Sequence, residues 1–266
     1  MNTNRTIHVL NRTGAIVQAH LPVDIIASGS SGNSVYLEPL HLLIDLGIAF
    51  KHYPKGFFNK VDYIALTHEH GDHLNITCLI KVLEEYPHIK FLLTKDLAKC
   101  LISTDFERMN AKRDRLLKVI GEDIGRFQTL VPLSMETRSG LTYTIDPIYV
   151  THGDINNVGF DIQCPQMSLK MLYATDLDNV NLLPEKSFNL IMLESNFDEE
   201  MLLSVLRDEP HNIRAKNNLR HISEQEAFQY VQHNLLNEGI YIPLHVSKDF
   251  GKIGNELRRL NERGNI

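Results

Sequence analysis

Apolar and polar positions alternate in short runs at the start of the chain. Segments near 5–10 and 14–19 alternate around the turn sequence Asn11-Arg12-Thr13-Gly14, and 23–27, 35–37 and 42–45 read as further short strands, so the chain opens as a β-meander. The stretch 61–66 is an apolar strand that ends at Thr67. Over 76–86 the apolar residues Ile76, Leu79, Ile80 and Leu83 recur at a helical period, which gives the local order strand, polar loop, helix. Further strands are expected at 91–93, 127–131, 141–145, 148–150, 160–162, 169–173 and 190–193, and helices at roughly 95–103, 198–206, 223–236 and 250–262. Many short strands, with helices interspersed and gathered towards the end, predict an α/β class with two packed sheets covered by helices. No repeat, low-complexity tract or linker divides the sequence, so one domain is expected over 1–266.

Composition narrows the possibilities. A chain of 266 residues can bury a core without covalent staples, and no apolar run is long enough to span a bilayer. The N-terminal stretch lacks a basic segment followed by an apolar one, so a cytoplasmic location is expected. The three cysteines, Cys78, Cys100 and Cys164, have no metal-ligand spacing and read as buried free thiols. A net charge of −6 argues against a globally positive surface for nucleic acid, so any contact with a polyanion must be local. The 13 histidines change the picture, because several of them cluster with Asp and Gly.

Thr67-His68-Glu69-His70-Gly71-Asp72-His73 packs three imidazoles and a carboxylate behind the 61–66 strand. In an extended segment residues two apart point to the same side, so His68 and His70 can converge on one ion. The turn at Gly71 redirects Asp72 and His73 towards a neighbouring position, and two adjacent metal sites follow. Two cations about 3.5–4 Å apart can lower the pKa of a shared water and stabilise both oxygens of an in-line displacement. Imidazole and carboxylate without thiolate suit Zn²⁺ or Mn²⁺, and both remain open.

The HxHxDH motif after a strand resembles that of the metallo-β-lactamase superfamily, whose later elements are a distant His, a bridging Asp and a final His. Ile148-Tyr149-Val150-Thr151-His152, Leu172-Tyr173-Ala174-Thr175-Asp176 and Ile242-Pro243-Leu244-His245 supply them in order. The resemblance implies an αββα sandwich in which His68, His70 and His152 bind one metal, Asp72, His73 and His245 bind the other, and Asp176 bridges the two. His221-Ile222-Ser223 opens an amphipathic helix, with Ser223 as N-cap and Glu226 at the capping-box position. An HxS element there resembles that of the phosphodiesterase branch, which includes ribonuclease Z. By that resemblance His221 would act as general acid at the leaving group and Glu194 would orient it. Asp72, His221 and Glu194 form the expected catalytic set.

The chain resembles the YycJ/VicX-like proteins through Ser28-Gly29-Ser30-Ser31-Gly32-Asn33-Ser34, the 67–73 motif, Glu194-Ser195-Asn196 and His221-Ile222-Ser223, a likeness that runs from about 23 to 250. It departs from them at Arg220, where that group has Gly, at Phe197, where it has His, and in an added N-terminal hairpin at about 1–21. The 28–34 loop lacks the spacing of a phosphate cradle and reads as a tight turn. Basic residues cluster at Arg108, Lys112, Arg113, Arg115 and Lys118, and again at Arg207, Arg214, Lys216 and Arg220. The second cluster adjoins His221, so Arg214, Lys216 and Arg220 are the candidates for substrate phosphate contacts.

The expected function is a binuclear metal-dependent phosphodiester hydrolase acting on nucleic acid, exonuclease-like, with a cyclic nucleotide or other small phosphodiester as the alternative substrate. Hydrolysis of an ester, thioester or lactam is disfavoured by the HxS element and Glu194, and a non-catalytic binding module by the full set of seven ligands. No membrane partner is expected, and the oligomeric state is open, with a homodimer as one option.

Overall fold

The computed structural model describes residues 6–103 and 110–263. In chain order the strands are β1 (Thr6–Leu10), β2 (Ile16–His20), β3 (Val23–Ala27), β4 (Ser34–Leu37), β5 (Leu42–Ile44), β6 (Tyr63–Ala65), β7 (Lys90–Leu93), β8 (Phe127–Thr129), β9 (Leu133–Glu136), β10 (Thr142–His152), β11 (Ile155–Cys164), β12 (Leu169–Ala174), β13 (Phe188–Glu194) and β14 (Leu235–Leu244). The helices are α1 (Ile76–Glu85), α2 (Lys95–Ile102), α3 (Asn110–Glu122), α4 (Glu199–Asp208), α5 (Ile213–Asn218), α6 (Glu224–Asn234) and α7 (Ile253–Arg263). The chain divides into two compact units, Met1–Pro22 with Tyr143–Ile266, and Val23–Thr142. Among the described residues no helix is long and apolar enough to cross a membrane.

In the Val23–Thr142 unit the strands run in the order β3-β4-β5-β6-β7-β8, antiparallel from β3 to β5 and parallel from β5 to β8. Asn75 caps α1 by accepting from the Cys78 amide, which satisfies one of the orphan donors of the first turn. The apolar stripe of α1 (Ile76, Leu79, Ile80, Leu83) then packs into a core with Phe57, Phe58, Ile64, Leu66 and Phe91. Burial of each such side chain contributes about 1.5–3 kcal/mol, so this stripe fixes the helix that follows the 67–73 loop. Arg126 closes the other end of α1: it is buried and donates to the carbonyls of Leu83, Tyr86 and Ile89 at 2.7–2.8 Å.

In the other unit β2-β1-β14-β13-β12-β11-β10 are successive neighbours, with β12, β13 and β14 mutually parallel. Val150, Leu172, Ala174, Ile191, Leu193, Val231 and Leu257 share its core. The N-terminal hairpin pairs Thr6–Leu10 with Ile16–His20 and meets β14 at Leu10–Tyr241.

Several sequence expectations need correction. Two strands expected at 141–145 and 148–150 are one, β10, which pairs with β11 straight through Pro147 opposite Phe160. A proline is compatible with a ladder where its missing donor is not the one the partner uses. The 127–131 strand is only Phe127–Thr129, with a separate β9 beyond it, and α3 and α5 were not expected. The helix expected over 223–236 stops at Asn234, where Leu235 turns extended and begins β14. Ser223 does cap α6 by accepting from the Glu226 amide, but Glu226 does not complete a capping box; its carboxylate accepts from the Val180 amide at 3.1 Å. Cys78 and Cys164 are buried thiols, whereas Cys100 is only half-buried, because the buried stripe of α2 is Leu97 and Leu101. Burial pushes the Cys78 thiol up to about 12, so it stays protonated.

Candidate metal centre

Each unit carries its own cluster of metal-type donors, and most of them sit just beyond the carboxyl ends of parallel strands, where side chains leave a sheet towards solvent. In the Val23–Thr142 unit β5 delivers Asp45 and β6 delivers the 67–73 loop. His68 and His73 are fully buried, while His70 and Asp72 are half-buried. His68 Nε2 lies 3.0 Å from His70 Nδ1, so the two ring nitrogens are neighbours. His68 Nδ1 is 3.0 Å from the Thr67 hydroxyl. His73 presents Nε2 on the Asp72 side, 4.0 Å from Asp72 Oδ2, while its Nδ1 lies 2.7 Å from Asp45 Oδ2.

Asp45 was not anticipated as part of the site. Its carboxylate accepts from the Thr67 amide at 2.9 Å, from the Thr67 hydroxyl and from His73, so one buried acid sets both the start of the loop and the tautomer of its last imidazole. Burial pushes the Asp45 carboxyl up, against the opposing pull of His73 and Thr67. Asn33 was also missed: its Nδ2 lies 2.8 Å from His73 Nε2, and its Oδ1 accepts from Gly29, which makes the 28–34 loop a tight turn as expected. Gly47 allows this lacing. A Cβ there would fall 1.8 Å from the Asp72 carbonyl oxygen, at the place where Asn33 N donates to Asp72 O and Gly47 N to Asn33 O.

In the other unit β10 ends at His152, β12 leads to Asp176, β13 ends at Glu194 and β14 leads to His245. His152 Nε2 and His245 Nε2 lie 3.7 and 3.5 Å from the same Asp176 oxygen. Asp176, Glu194, His221 and His245 each bring one donor atom into a group whose members lie within 4.8 Å of one another. The Asn157 amide holds the Asp176 turn by donating to the Thr175 and Asp176 carbonyls. Glu194 is fully buried; its Oε1 lies 2.7 Å from His221 Nδ1 and 2.9 Å from His245 Nδ1, and its Oε2 accepts from the Leu177 amide. Burial works against the Glu194 charge, yet the two imidazoles outweigh it and hold the carboxyl below its usual value. Burial likewise works against a charged His221, and Glu194 overcomes it, raising that imidazole.

The approach of His221 to Glu194 follows from the backbone. The segment after β13 pairs with the segment before α6, with Asn196 N donating to Ile222 O and Glu224 N to Phe197 O. Asn196, two residues after Glu194, donates its side-chain amide to the His245 carbonyl at 2.7 Å. Asp45, Asp176 and His245 all have left-handed backbone, with φ of 63°, 55° and 48°. Such conformations are uncommon outside glycine and concentrate where function demands them.

The residues expected to touch substrate phosphate, Arg214, Lys216 and Arg220, are all exposed, and Arg214 pairs with Asp249 at 3.1 Å. In the other basic cluster Arg115 pairs with Glu84 and Lys118 with Glu122, and Arg108 lies outside the described residues. No thiol belongs to the donor groups among the described residues, and the imidazole and carboxylate atoms present fit a divalent ion of the Zn²⁺ or Mn²⁺ kind.

No protein-family model matches the chain, and neither does the sequence of any curated protein. Solved structures do. The metallo-β-lactamase fold protein YhfI from Bacillus subtilis matches with a TM-score of 0.55 at 15% identity over 91% of both chains. A diphosphatase of the PhnP family matches with a TM-score of 0.48 at 15% identity, over 89% of this chain and 90% of its own. A long-form RNase Z from yeast matches with a TM-score of 0.49 at 13% identity, over 93% of this chain but 35% of its own. With two mixed sheets and seven α-helices among the described residues, the chain has the metallo-β-lactamase fold.

Proposed function

We propose that this chain is a binuclear metal-dependent hydrolase of phosphodiester bonds, acting on nucleic acid in the manner of an exonuclease. The observation that carries the reading is the pair formed by His221 and the buried Glu194, 2.7 Å apart beside Asp176. The resemblance to the metallo-β-lactamase superfamily implies that His68, His70 and His152 would bind one ion, Asp72, His73 and His245 the other, and Asp176 both. When bound, the ions would supply Lewis acidity and a nucleophile at neutral pH.

The rest is the work of this chain's own side chains. Glu194 occupies Nδ1 of His221 and leaves Nε2 as the nitrogen that can donate. The carboxylate raises the imidazole against the effect of burial, which favours the protonated ring that a poor leaving oxygen needs. The same carboxylate oxygen lies 2.9 Å from His245 Nδ1, which fixes that ring with Nε2 towards Asp176. Arg214, Lys216 and Arg220 would meet phosphates flanking the scissile bond.

A small phosphodiester such as a cyclic nucleotide is the second reading. It is favoured by the net charge of −6 and by the engagement of Arg214 with Asp249. A panel of linear DNA, RNA, cyclic nucleotides and a chromogenic phosphodiester, each assayed with Zn²⁺ and Mn²⁺, separates the readings. Turnover of polymers supports the nuclease, turnover of cyclic nucleotides alone supports the second reading, and no phosphodiester turnover with either metal defeats both.

A further inference from the structure

Asp176 is the one carboxylate that the resemblance gives to both ions, and its backbone is costly to hold. Its φ is 55°, in a region that side chains other than glycine seldom adopt. The hold comes from outside the turn. Asn157, on β11, is fully buried, and its side-chain amide donates to the Thr175 carbonyl at 2.7 Å and to the Asp176 carbonyl at 2.6 Å, while its Oδ1 accepts from the Val158 amide at 2.8 Å. Its partners are two acceptors and one donor, so the amide fits only one way round. An extended residue at 176 would send the carbonyls on either side of it in opposite directions, whereas the turn brings both to this one nitrogen.

Asp178 supplies a second hold. Its amide donates to the Thr151 carbonyl at 2.9 Å, and both of its carboxylate oxygens lie 3.1 Å from the Gly153 amide. The residues on either side of His152 are thereby tied to the residue two beyond Asp176. Between them the Leu177 amide donates to Glu194. The carbonyls of Thr175 and Asp176 and the amides of Leu177 and Asp178 are thus all engaged, and Asp176 Oδ1 is left facing His152 Nε2 at 3.7 Å and His245 Nε2 at 3.5 Å.

We infer that Asn157 and Asp178 are positioning residues that hold Asp176 in its left-handed turn, so that one carboxylate faces both imidazoles and can serve two ions. A carboxylate shared by ions about 3.5–4 Å apart must be oriented towards both, and a turn that relaxes to an extended backbone loses both contacts together. The sharing of Asp176 rests on the binuclear reading. The hold on the turn belongs to the metal-free chain.

Asn157→Asp keeps the shape of the side chain but sets an oxygen against two carbonyl oxygens. In a crystal structure of the metal-free variant, Asp176 should leave the left-handed region and Oδ1 should move away from both imidazoles. Electron paramagnetic resonance of the Mn²⁺-loaded protein should change from the spectrum of an exchange-coupled pair in the parent to that of isolated ions, and affinity for Zn²⁺ in chelator competition should fall about 10–100-fold. Asp178→Ala, at a half-buried position that the fold should tolerate, should move the same readouts and serves if Asn157→Asp does not fold. Asp178→Asn keeps an acceptor for the Gly153 amide and should restore the parent's behaviour. Asn234→Ala removes another buried side-chain amide, one that donates to the Tyr230 carbonyl on α6, and should leave every readout as in the parent. Retention of the left-handed turn and of the coupled spectrum in Asn157→Asp or Asp178→Ala overturns the inference, and so does an equal change in Asn234→Ala. A parent without a coupled pair defeats the binuclear reading instead, and the metal-free variant structures still support or overturn the hold on Asp176.

Discussion

Replacing Asp45 by Asn changes one atom in a fully buried hydrogen-bond set and should cost the chain most of its affinity for metal at His73. The left-handed backbone at this position suits Asn as well as Asp, so the fold should tolerate the change. Asn Oδ1 can keep the Thr67 amide as donor, but then its NH₂ occupies the place of Oδ2, 2.7 Å from His73 Nδ1. Two donors would face each other unless the imidazole moves its proton to Nε2, the nitrogen it needs for a metal. Flipping the amide instead leaves the buried Thr67 N–H without an acceptor, at a cost of about 1–3 kcal/mol, or roughly 5- to 150-fold in affinity. Second-sphere changes at metal-bound imidazoles typically cost about 10–100-fold, which falls in the same range. Competition with a chromogenic chelator measures the affinity, and ring ¹⁵N shifts report the tautomer. A variant that binds Zn²⁺ as tightly as the parent, with His73 still protonated at Nδ1, would refute the argument.

His221→Ala should lower turnover by about 10²–10⁴-fold on a substrate with a poor leaving group, and by less on an activated aryl ester, while metal content measured by elemental analysis stays near normal; loss of metal would make His221 a ligand instead. Replacing Arg214, Lys216 and Arg220 together by Ala should weaken binding to a long nucleic acid and flatten its salt dependence, by a slope of about 0.9 per lost contact on duplex DNA or 0.7 on single strands, with hydrolysis of a small chromogenic diester nearly unchanged. A triple variant that behaves normally on polymers would remove these residues from the substrate path. Arg126→Met should destabilise the chain by about 3–5 kcal/mol in urea unfolding, since three carbonyls around the end of α1 lose a buried charged donor. A loss below about 1 kcal/mol would show that water replaces the guanidinium there.

The members of the donor clusters stand out in the sequence because their spacing is itself chemistry: an HxHxDH run behind an apolar strand has few other uses, and His152, Asp176 and His245 follow strands whose apolar runs are plain. Glu194 and His221 could be paired by resemblance, and the strand-like bridge between Phe197 and Ser223 is the physical reason they meet. Asp45 escaped notice because an acid at the end of an apolar run reads only as the end of a strand, and Asn33 because a Gly/Ser loop reads only as a turn. Helix α3 was hidden by its charge: Leu116 and Ile120 are buried in a segment otherwise rich in Lys, Arg and Asp. The start of β14 was hidden by continuity. The helical spacing of Ala227, Tyr230 and Val231 runs on to Leu235, so nothing in the periodicity marks where helix gives way to strand.

The left-handed backbone at Asp45, Asp176 and His245 sets a conflict between durability and activity. Each such residue stores on the order of 1 kcal/mol or more that glycine at the same place would release, while the buried side chain it carries is what the donor clusters need. A population of this gene selected only for survival at high temperature would therefore be expected to erode these three positions first, and one selected for turnover would hold them and collect its compensating stability elsewhere, in the packing around Leu79 and Leu193 or in surface loops. Heat tolerance and turnover should thus trade against each other at positions that make no difference to the outline of the fold.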